Sequence, residues 1–357
     1  MFEDKIGPYS FEVGMYRPPS EGGSHSLLLR FTRNCPWNKC TFCGMYKHEK
    51  FSLRSVEEIK GDIASIAGLW REMQDIARTL GHENVVNRDV IYRIIETYPK
   101  SSTSDGFGMI LNWLSSGAKT AFLQDANSLV MATDNLVEVL HYLRDTFPSI
   151  ERVTSYARSK TLFRKTQEDL NRIWKAGLDR LHVGLESGDS EVLKRIKKGV
   201  TPEEHIEGGR KAMKAGFQLS EYWMPGLGGT ERWENHARHT ARALNSINPH
   251  YIRTRPFSPW PGTPIYDECA RGELTLLSPE EQLEELKLMV QELEVTSKLC
   301  FDHANNYWTD TDGQLLFTHS YEGYQMPEKK EKVLEIIEKG IIANKGRSEY
   351  GYAEIVL

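Results

Sequence analysis

The tripeptide KAG occurs twice, at 175–177 and 214–216, and both times a helix-like stretch ends in glycine and a strand-like stretch follows at once. Glycine takes the left-handed conformation that closes a helix without a steric penalty, so each KAG reads as a helix stop. The unit returns after about 39 residues, the length of a strand with its helical crossover. Parallel strands joined by helical crossovers wrap in one hand. Strand-like runs recur along the chain: SLLLRFT (26–32), AFLQD (121–125), RVTSY (152–156), RLHVGL (180–185), QLSEYWM (218–224) and YIRTRPF (251–257). The pattern predicts an α/β chain, a partial or complete (β/α) barrel of about six parallel strands. An open doubly wound sheet fits the same periodicity almost as well.

Helix starts support the phasing. Thr201 is followed by Pro202 and Glu204, and Ser278 by Pro279 and Glu281; Thr166 precedes an acidic turn with Asp169. A cap oxygen, a proline that needs no donor and an acid near the positive helix end all favour initiation. Two stretches flank the core expected over 26–270, and a third interrupts it. Residues 1–25 read as an irregular lead-in, 56–118 as a helical insertion after the first strand, and 271–357 as a mostly helical C-terminal extension.

Composition narrows the class. The 357 residues are 39% hydrophobic and 27% charged, a globular profile. No apolar run approaches the ~20 residues of a membrane span. The start, MFEDKIGPYS, carries Glu3 and Asp4 and does not read as a secretory leader. The expected location is cytoplasmic, where reducing conditions argue against disulfides. A net charge of −5 gives no bulk attraction to anionic membranes or nucleic acid, so a nucleic-acid partner is not expected.

Three of the five cysteines crowd into NCPWNKCTFCG (34–44), spaced C-x4-C-x2-C as Cys35, Cys40 and Cys43. They follow the first strand, on a loop where three thiolates can meet one metal centre. A [4Fe–4S] cluster with three cysteine ligands keeps one iron open, which suits catalysis at a strand's C-terminal end. A structural zinc with His48 as fourth ligand is the other reading. GLGG (226–229) lacks the GxxxxGK[ST] pattern of a phosphate loop. The acidic spacing of YWTDTDG lacks the late glutamate of a calcium loop.

The cysteine loop, with Phe42 before its last cysteine and Gly44 after it, resembles the cluster loop of the radical S-adenosylmethionine (radical SAM) superfamily, whose usual spacing is C-x3-C-x2-C. HVGLESGDSEVLKRIKKGVT (182–201), FLQDANSLV (122–130), MPGLGGTERWENHARHTARALNSINPHYI (224–252) and RPFSPWPGTPIYDE (255–268) resemble, in order, segments of the subgroup that includes oxygen-independent coproporphyrinogen oxidase and the methylthiotransferases. The resemblance implies a TIM-barrel-like enzyme in which Cys35, Cys40 and Cys43 hold three irons and the fourth binds S-adenosylmethionine. It implies reductive cleavage of that cofactor to a 5′-deoxyadenosyl radical, which abstracts hydrogen from substrate, with an external electron donor of flavodoxin or ferredoxin type.

It also implies cofactor contacts. Glu186 would accept hydrogen bonds from ribose hydroxyls or the ammonium group, and Arg158 would pair with the carboxylate by its planar fork. Asp125 stands where the family touches the methionine amino group, although QDAN replaces the usual glycine-backed motif. Gly226 and Gly228 would admit adenine, and Phe42 and Gly44 would pack beside it or the cluster. Arg253, Arg255 and Trp260 at the sixth strand's end, with Tyr222 and Trp223 on the fifth, are the substrate candidates; Arg255 and Trp223 are the catalytic ones, and two arginines suit a small anionic substrate. The lack of a second cysteine cluster, of a cobalamin-binding extension and of a basic C-terminal module sets the same chemistry on RNA or peptide behind a small molecule. A non-catalytic metal-binding or redox-sensing role needs the three cysteines but none of the later segments.

Overall fold

The computed structural model describes residues 3–18, 25–306 and 308–346. Parts of three sequence readings lie outside the described residues: 1–2 and 19–24 of the lead-in, Tyr307 in the aromatic segment and 347–357 of the C-terminal extension. The chain divides into two compact units: Met1–Pro36, Glu49–Ala157 and Gln167–Leu181 form one, and Trp37–His48, Arg158–Thr166 and His182–Leu357 the other.

In the first unit, β1 (Glu3–Ile6) and β2 (Tyr9–Glu12) form an antiparallel hairpin, so the expected irregular lead-in is a folded element. Polar residues dominate it, and only Ile6 and Phe11 are buried, which is why it carried little strand signal. β3 (Leu27–Arg30) runs into the cysteine loop, and a short ladder of β4 (Thr32–Arg33) with β5 (Ser52–Leu53) brackets that loop in sequence. β6 (Thr120–Gln124) pairs in parallel with β3, and β7 (Arg152–Ala157) in parallel with β6. The helices between β5 and β6 are α1 (Val56–Thr79), α2 (Arg88–Thr97) and α3 (Asp105–Ser115), with α4 (Thr133–Thr146) crossing from β6 to β7. Ser55 and Glu58 close a capping box on α1, which stabilises such an end by about 1 kcal/mol. Ile59, Ile63, Ile66 and Met73 give α1 its buried stripe, at the spacing of one helix face.

The second unit takes α5 (Ser159–Arg164); α6 (Gln167–Lys175) belongs to the first. β8 (Arg180–Glu186) enters the second unit at His182 and neighbours β9 (Gln218–Trp223). Between them lie α7 (Ser190–Arg195) and α8 (Pro202–Ala215), and α9 (Gly229–Ile247) links β9 to β10 (Tyr251–Thr254), its parallel neighbour. Sequence punctuation holds here. Gly177 and Gly216 have φ of +99° and +105°, and capping boxes form at Thr201–Glu204 and, for α11 (Pro279–Glu292), at Ser278–Glu281. α10 (Pro264–Ala270) precedes α11.

The C-terminal stretch departs from the mostly helical extension expected. β11 (Lys298–Cys300) adds to β10 in parallel, β12 (Tyr324–Gln325) adds antiparallel to β11, and α12 (Lys330–Asn344) follows. Leu283, Leu286, Val333 and Ile337 share one core with Leu185, Trp223 and Ile252, so this stretch completes the second unit. Strands of three and two residues are too short to show a period in sequence. The α/β class and mostly parallel strands agree with the sequence reading.

Candidate cluster and cofactor site

The chain enters the cysteine loop from β3, in the first unit. Asn34, immediately before Cys35, has φ +66°, and its N–H donates to Asp125 Oδ2 at 2.7 Å. Arg30 donates to the same oxygen from Nε at 3.0 Å and Nη2 at 2.8 Å, and to Asn34 Oδ1 at 3.2 Å. Glu12 from the hairpin adds a carboxylate 3.6 Å from Arg30. Asp125 is buried, and its Oδ1 has no hydrogen bond; a Cβ on Gly14 would stand 2.2 Å from it. Burial pushes the Asp125 pKa up, against the Asn34 N–H and the Arg30 charge. Asp125, expected to touch a cofactor, is engaged in fixing the loop's entry.

The chain leaves the loop in the second unit. Thr41 N–H donates to Ile196 O at 2.9 Å, just past α7, and Thr41 O accepts from Ile265 N–H at 3.2 Å on α10. Phe42 packs on the apolar cluster of Val192, Leu193, Ile196, Met224 and Ile265. Lys47 Nζ donates to Cys40 O at 2.6 Å, and Trp260 lies against Gly44, 3.2 Å from where a Cβ would be. Trp37 donates Nε1–H to Lys197 O at 2.7 Å and stacks under Arg158, whose guanidinium carbon is 4.9 Å from the ring centroid.

Around this turn stand several predicted residues. Glu186 ends β8 with φ +62°, and its Oε1 accepts from Lys198 Nζ at 2.7 Å. Both side chains are nearly buried, so Glu186 is not a solvated acid at a strand end. Gly184 makes room for the pair: a Cβ there would fall 2.1 Å from Glu186 Oε1 and 2.8 Å from Lys198 Nζ. Lys198 Nζ also lies 5.9 Å from the Phe42 ring centroid, and Arg158 Nη2 donates to Lys198 O at 2.7 Å. Phe42, Gly44, Arg158 and Glu186 are thus gathered beside Cys40 and Cys43 within one unit. Lys198 at their centre escaped sequence reasoning, since a lysine in KKGVT carries no pattern separating it from surface lysines.

Gly226 and Gly228 do something else. Both are buried; Gly226 N–H donates to Glu285 Oε2 at 2.5 Å, and a Cβ on Gly228 would lie 3.0 Å from the His236 Cβ. Their side-chain-free backbone is used for packing against α9 and α11. Trp223 is fully buried, donates to Thr254 Oγ1 at 3.1 Å and belongs to the core, which removes it as a catalytic candidate. Arg253 is spent on Ser220 Oγ at 2.9 Å and Asp302 at 2.7 Å. Arg255 is half-buried with its Nε unbonded. Burial, then the Arg255 charge and then His319 hold the neighbouring His303 down at about 3.

None of the five cysteines is in a disulfide, and those of the loop are half-buried, while hydrogen bonds pin the backbone around Thr41. That donor set fits a thiolate-bound cluster. Among the described residues no three His, Cys, Asp or Glu side chains gather where one metal ion could sit, and His48, the fourth ligand of the zinc reading, is exposed.

Residues 115–239 match the family model of the radical SAM superfamily. That match covers about a third of the chain and agrees with the resemblance read from the sequence. The class it points to is an enzyme using a [4Fe–4S] cluster and S-adenosylmethionine. The family match begins after the cysteine loop. The tRNA uridine(34) acetyltransferase of Methanocaldococcus infernus is 26% identical over 120 residues, 33% of this chain and 22% of that protein. The Methanocaldococcus jannaschii protein of the same name is 25% identical over 119 residues, again 22% of its length. The alignment therefore spans about a fifth of these relatives. Among solved structures, the radical S-adenosylmethionine methyltransferase TsrM from Kitasatospora setae gives a TM-score of 0.49 at 14% identity, covering 88% of this chain and 60% of that one. Methylornithine synthase (PylB) gives 0.44 at 14% identity, covering 93% and 77%. No helix is long and apolar enough to cross a membrane among the described residues.

Proposed function

We propose that Cys35, Cys40 and Cys43 hold the [4Fe–4S] cluster, and that the ends of β8 and β9 hold S-adenosylmethionine for hydrogen abstraction from a small, anionic organic substrate. The observation carrying this reading is the Glu186–Lys198 pair packed beside Phe42, two residues past Cys40. When bound, the cluster and cofactor supply a one-electron cleavage whose carbon radical takes a hydrogen atom. This chain's own residues bind and orient. Glu186 accepts from ribose hydroxyls or the ammonium group, Lys198 fixes its carboxylate, and Phe42 gives adenine an apolar face. Arg158, stacked on Trp37, offers a guanidinium to the cofactor carboxylate. Gly44 lets Trp260 close on the loop. Asp125 acts through Asn34, and Gly226 and Gly228 through their turn. Arg255 receives the substrate's anionic group, beside a His303 that stays neutral at physiological pH. Electrons come from an external flavodoxin- or ferredoxin-type donor in a reducing cytoplasm, which the absence of disulfides among the five cysteines suits.

The test is anaerobic: reconstitute with iron and sulfide, reduce, add S-adenosylmethionine and assay 5′-deoxyadenosine beside a Cys40→Ala variant. Product from the wild type alone is expected. Product from both sinks the ligand assignment. A second reading, the same chemistry on RNA, is favoured by one observation: the aligned relatives are tRNA uridine(34) acetyltransferases. Submicromolar binding of tRNA by the reconstituted enzyme would promote it over the small molecule.

A further inference from the structure

Two strand ends in the second unit are tied together by a buried pair of side chains from α9 and α11. Glu285 Oε2 accepts the Gly226 N–H at 2.5 Å; its Oε1 meets His236 Nδ1 at 2.7 Å; His236 Nε2 meets Glu186 O at 3.3 Å. Both side chains are fully buried. The two backbone positions held this way are unusual ones: Glu186 has φ +62° and Gly226 has φ +86°. A non-glycine residue in that region costs about 1–2 kcal/mol and persists only where its surroundings enforce it. The Glu186 carbonyl accepts a second bond from Met224 N–H at 3.1 Å, so the end of β8 is clamped from two elements.

We infer that Glu285, acting with His236, is a positioning residue for S-adenosylmethionine: it fixes the backbone turn that aims the Glu186 carboxylate. The inference rests on the reading of Glu186 as a cofactor contact. Rotation about the Glu186 backbone would swing its carboxylate away from Lys198 and Gly184, so the relay sets side-chain aim through main-chain geometry. The proton inventory agrees. His236 faces a carboxylate at one nitrogen and a carbonyl at the other, both acceptors, so each ring nitrogen carries a proton and donates it. Burial opposes the charge on His236, and the Glu285 carboxylate outweighs it, raising the imidazole's pKa. A buried ion pair is a weak source of net stability and is often replaceable by apolar side chains. What this one supplies is connection between a C-terminal helix and two strand ends, where α/β proteins bind ligands.

The test uses the full reconstituted chain and measures S-adenosylmethionine binding at equilibrium, with cluster iron and the thermal midpoint recorded for each variant. Glu285→Ala should weaken binding about tenfold and raise KM for the cofactor with kcat largely kept, the signature of lost ground-state placement. Glu285→Gln keeps an acceptor for Gly226 and a donor for His236, and should stay within about threefold of wild type. His236→Asn keeps the contact to Glu285 but releases the Glu186 carbonyl; it should weaken binding as Glu285→Ala does, and serves if that variant does not fold. In cluster-free protein, hydrogen exchange at the Gly226 amide should quicken in Glu285→Ala and not in Glu285→Gln. Glu186→Gln separates the two claims. If it weakens binding while Glu285→Ala and His236→Asn change only the thermal midpoint, the positioning role is overturned and the cofactor reading stands. If Glu186→Gln binds normally, the cofactor reading of Glu186 fails.

Discussion

Asp125 in the first unit and Asp189 in the second are both buried, and each secures a segment that carries the cysteine loop, yet their electrostatics run in opposite directions. Asp189 caps α7 through bonds of 3.0 Å from Glu191 N–H and Val192 N–H, and takes Arg232 in a two-pronged pair at 3.1 and 2.9 Å with His239 at 2.8 Å. Both its oxygens are engaged, and although burial works against it, Arg232, the capped N–H and His239 pull its pKa down to about 2. Asp125 concentrates its donors on Oδ2 and leaves Oδ1 unbonded, and burial pushes its pKa up. Burial is common to both; the difference is how many donors reach each oxygen. The loop's exit hangs on a helix whose cap is electrostatically comfortable. Its entry hangs on an aspartate held at a cost by one buried arginine.

The largest expected effect follows from that asymmetry. Arg30→Met leaves Asp125 buried with only the Asn34 N–H, and removing one member of a buried pair costs about 3 kcal/mol or more. Urea unfolding of the cluster-free protein at neutral pH should show this loss, and iron retained on reconstitution should fall with it. The penalty should shrink at acidic pH, because protonation removes the unpaired charge. A loss that is equal at both pH values would break the comparison, since Asp125 would then not be the group left stranded.

Much of this arrangement was legible in the sequence, for identifiable reasons. The helix caps at Thr201 and Ser278 and the glycine stops at 177 and 216 are local chemistry, decided within a few residues, and all four formed as read. Phe42, Gly44, Arg158 and Glu186 were singled out because a resemblance carries spacing information that local physics does not. Lys198, Arg30, His236 and Glu285 were missed because their roles are contacts across 12 to 95 positions, with nothing local to flag them. Trp223 was misread: an aromatic on a strand looks alike whether it faces a ligand or α9, and only the packing chooses. The hairpin over Glu3–Ile6 and Tyr9–Glu12 was missed because its partner-facing apolar residues are two.

A paired measurement sharpens the contrast between the aspartates. Asp189→Asn should cost roughly 2 kcal/mol near neutral pH, the worth of a carboxyl drawn from its ordinary 3.8 to about 2. The sign is fixed by that direction. A depressed folded value stabilises fully above the unfolded one and is lost as pH falls, so Asp189 should contribute to the acid limb between about pH 4 and 2, and Asp189→Asn should flatten it. Asp125 has the opposite sign: its raised folded value favours the protonated form, and its contribution declines as pH rises through that value. Asp125→Asn should therefore cost less than Asp189→Asn at neutral pH and leave the acid limb unflattened. Stability–pH curves for the two variants give the answer; the reverse ranking would show that Arg30 compensates Asp125 better than its geometry implies.

The smallest effect isolates the exit from the entry. Gly199 has φ +74°, and a Cβ there would lie 2.3 Å from the Trp37 ring. In Gly199→Ala the backbone strain alone costs about 1–2 kcal/mol, and the indole must move, giving up its bond to Lys197 O and its stack under Arg158. The bonds of Asn34 to Asp125 and Arg30 do not involve that indole. Hydrogen exchange should therefore split the loop: the Thr41 amide, bonded to Ile196 O at 2.9 Å, should exchange faster in the variant, while the Asn34 amide on Asp125 keeps its protection. Cofactor affinity should fall modestly as well, because Lys198 precedes the altered residue and carries the Glu186 carboxylate. Equal acceleration at Asn34 and Thr41 would mean that the loop opens as one piece, and the two anchors would then be a single cooperative device.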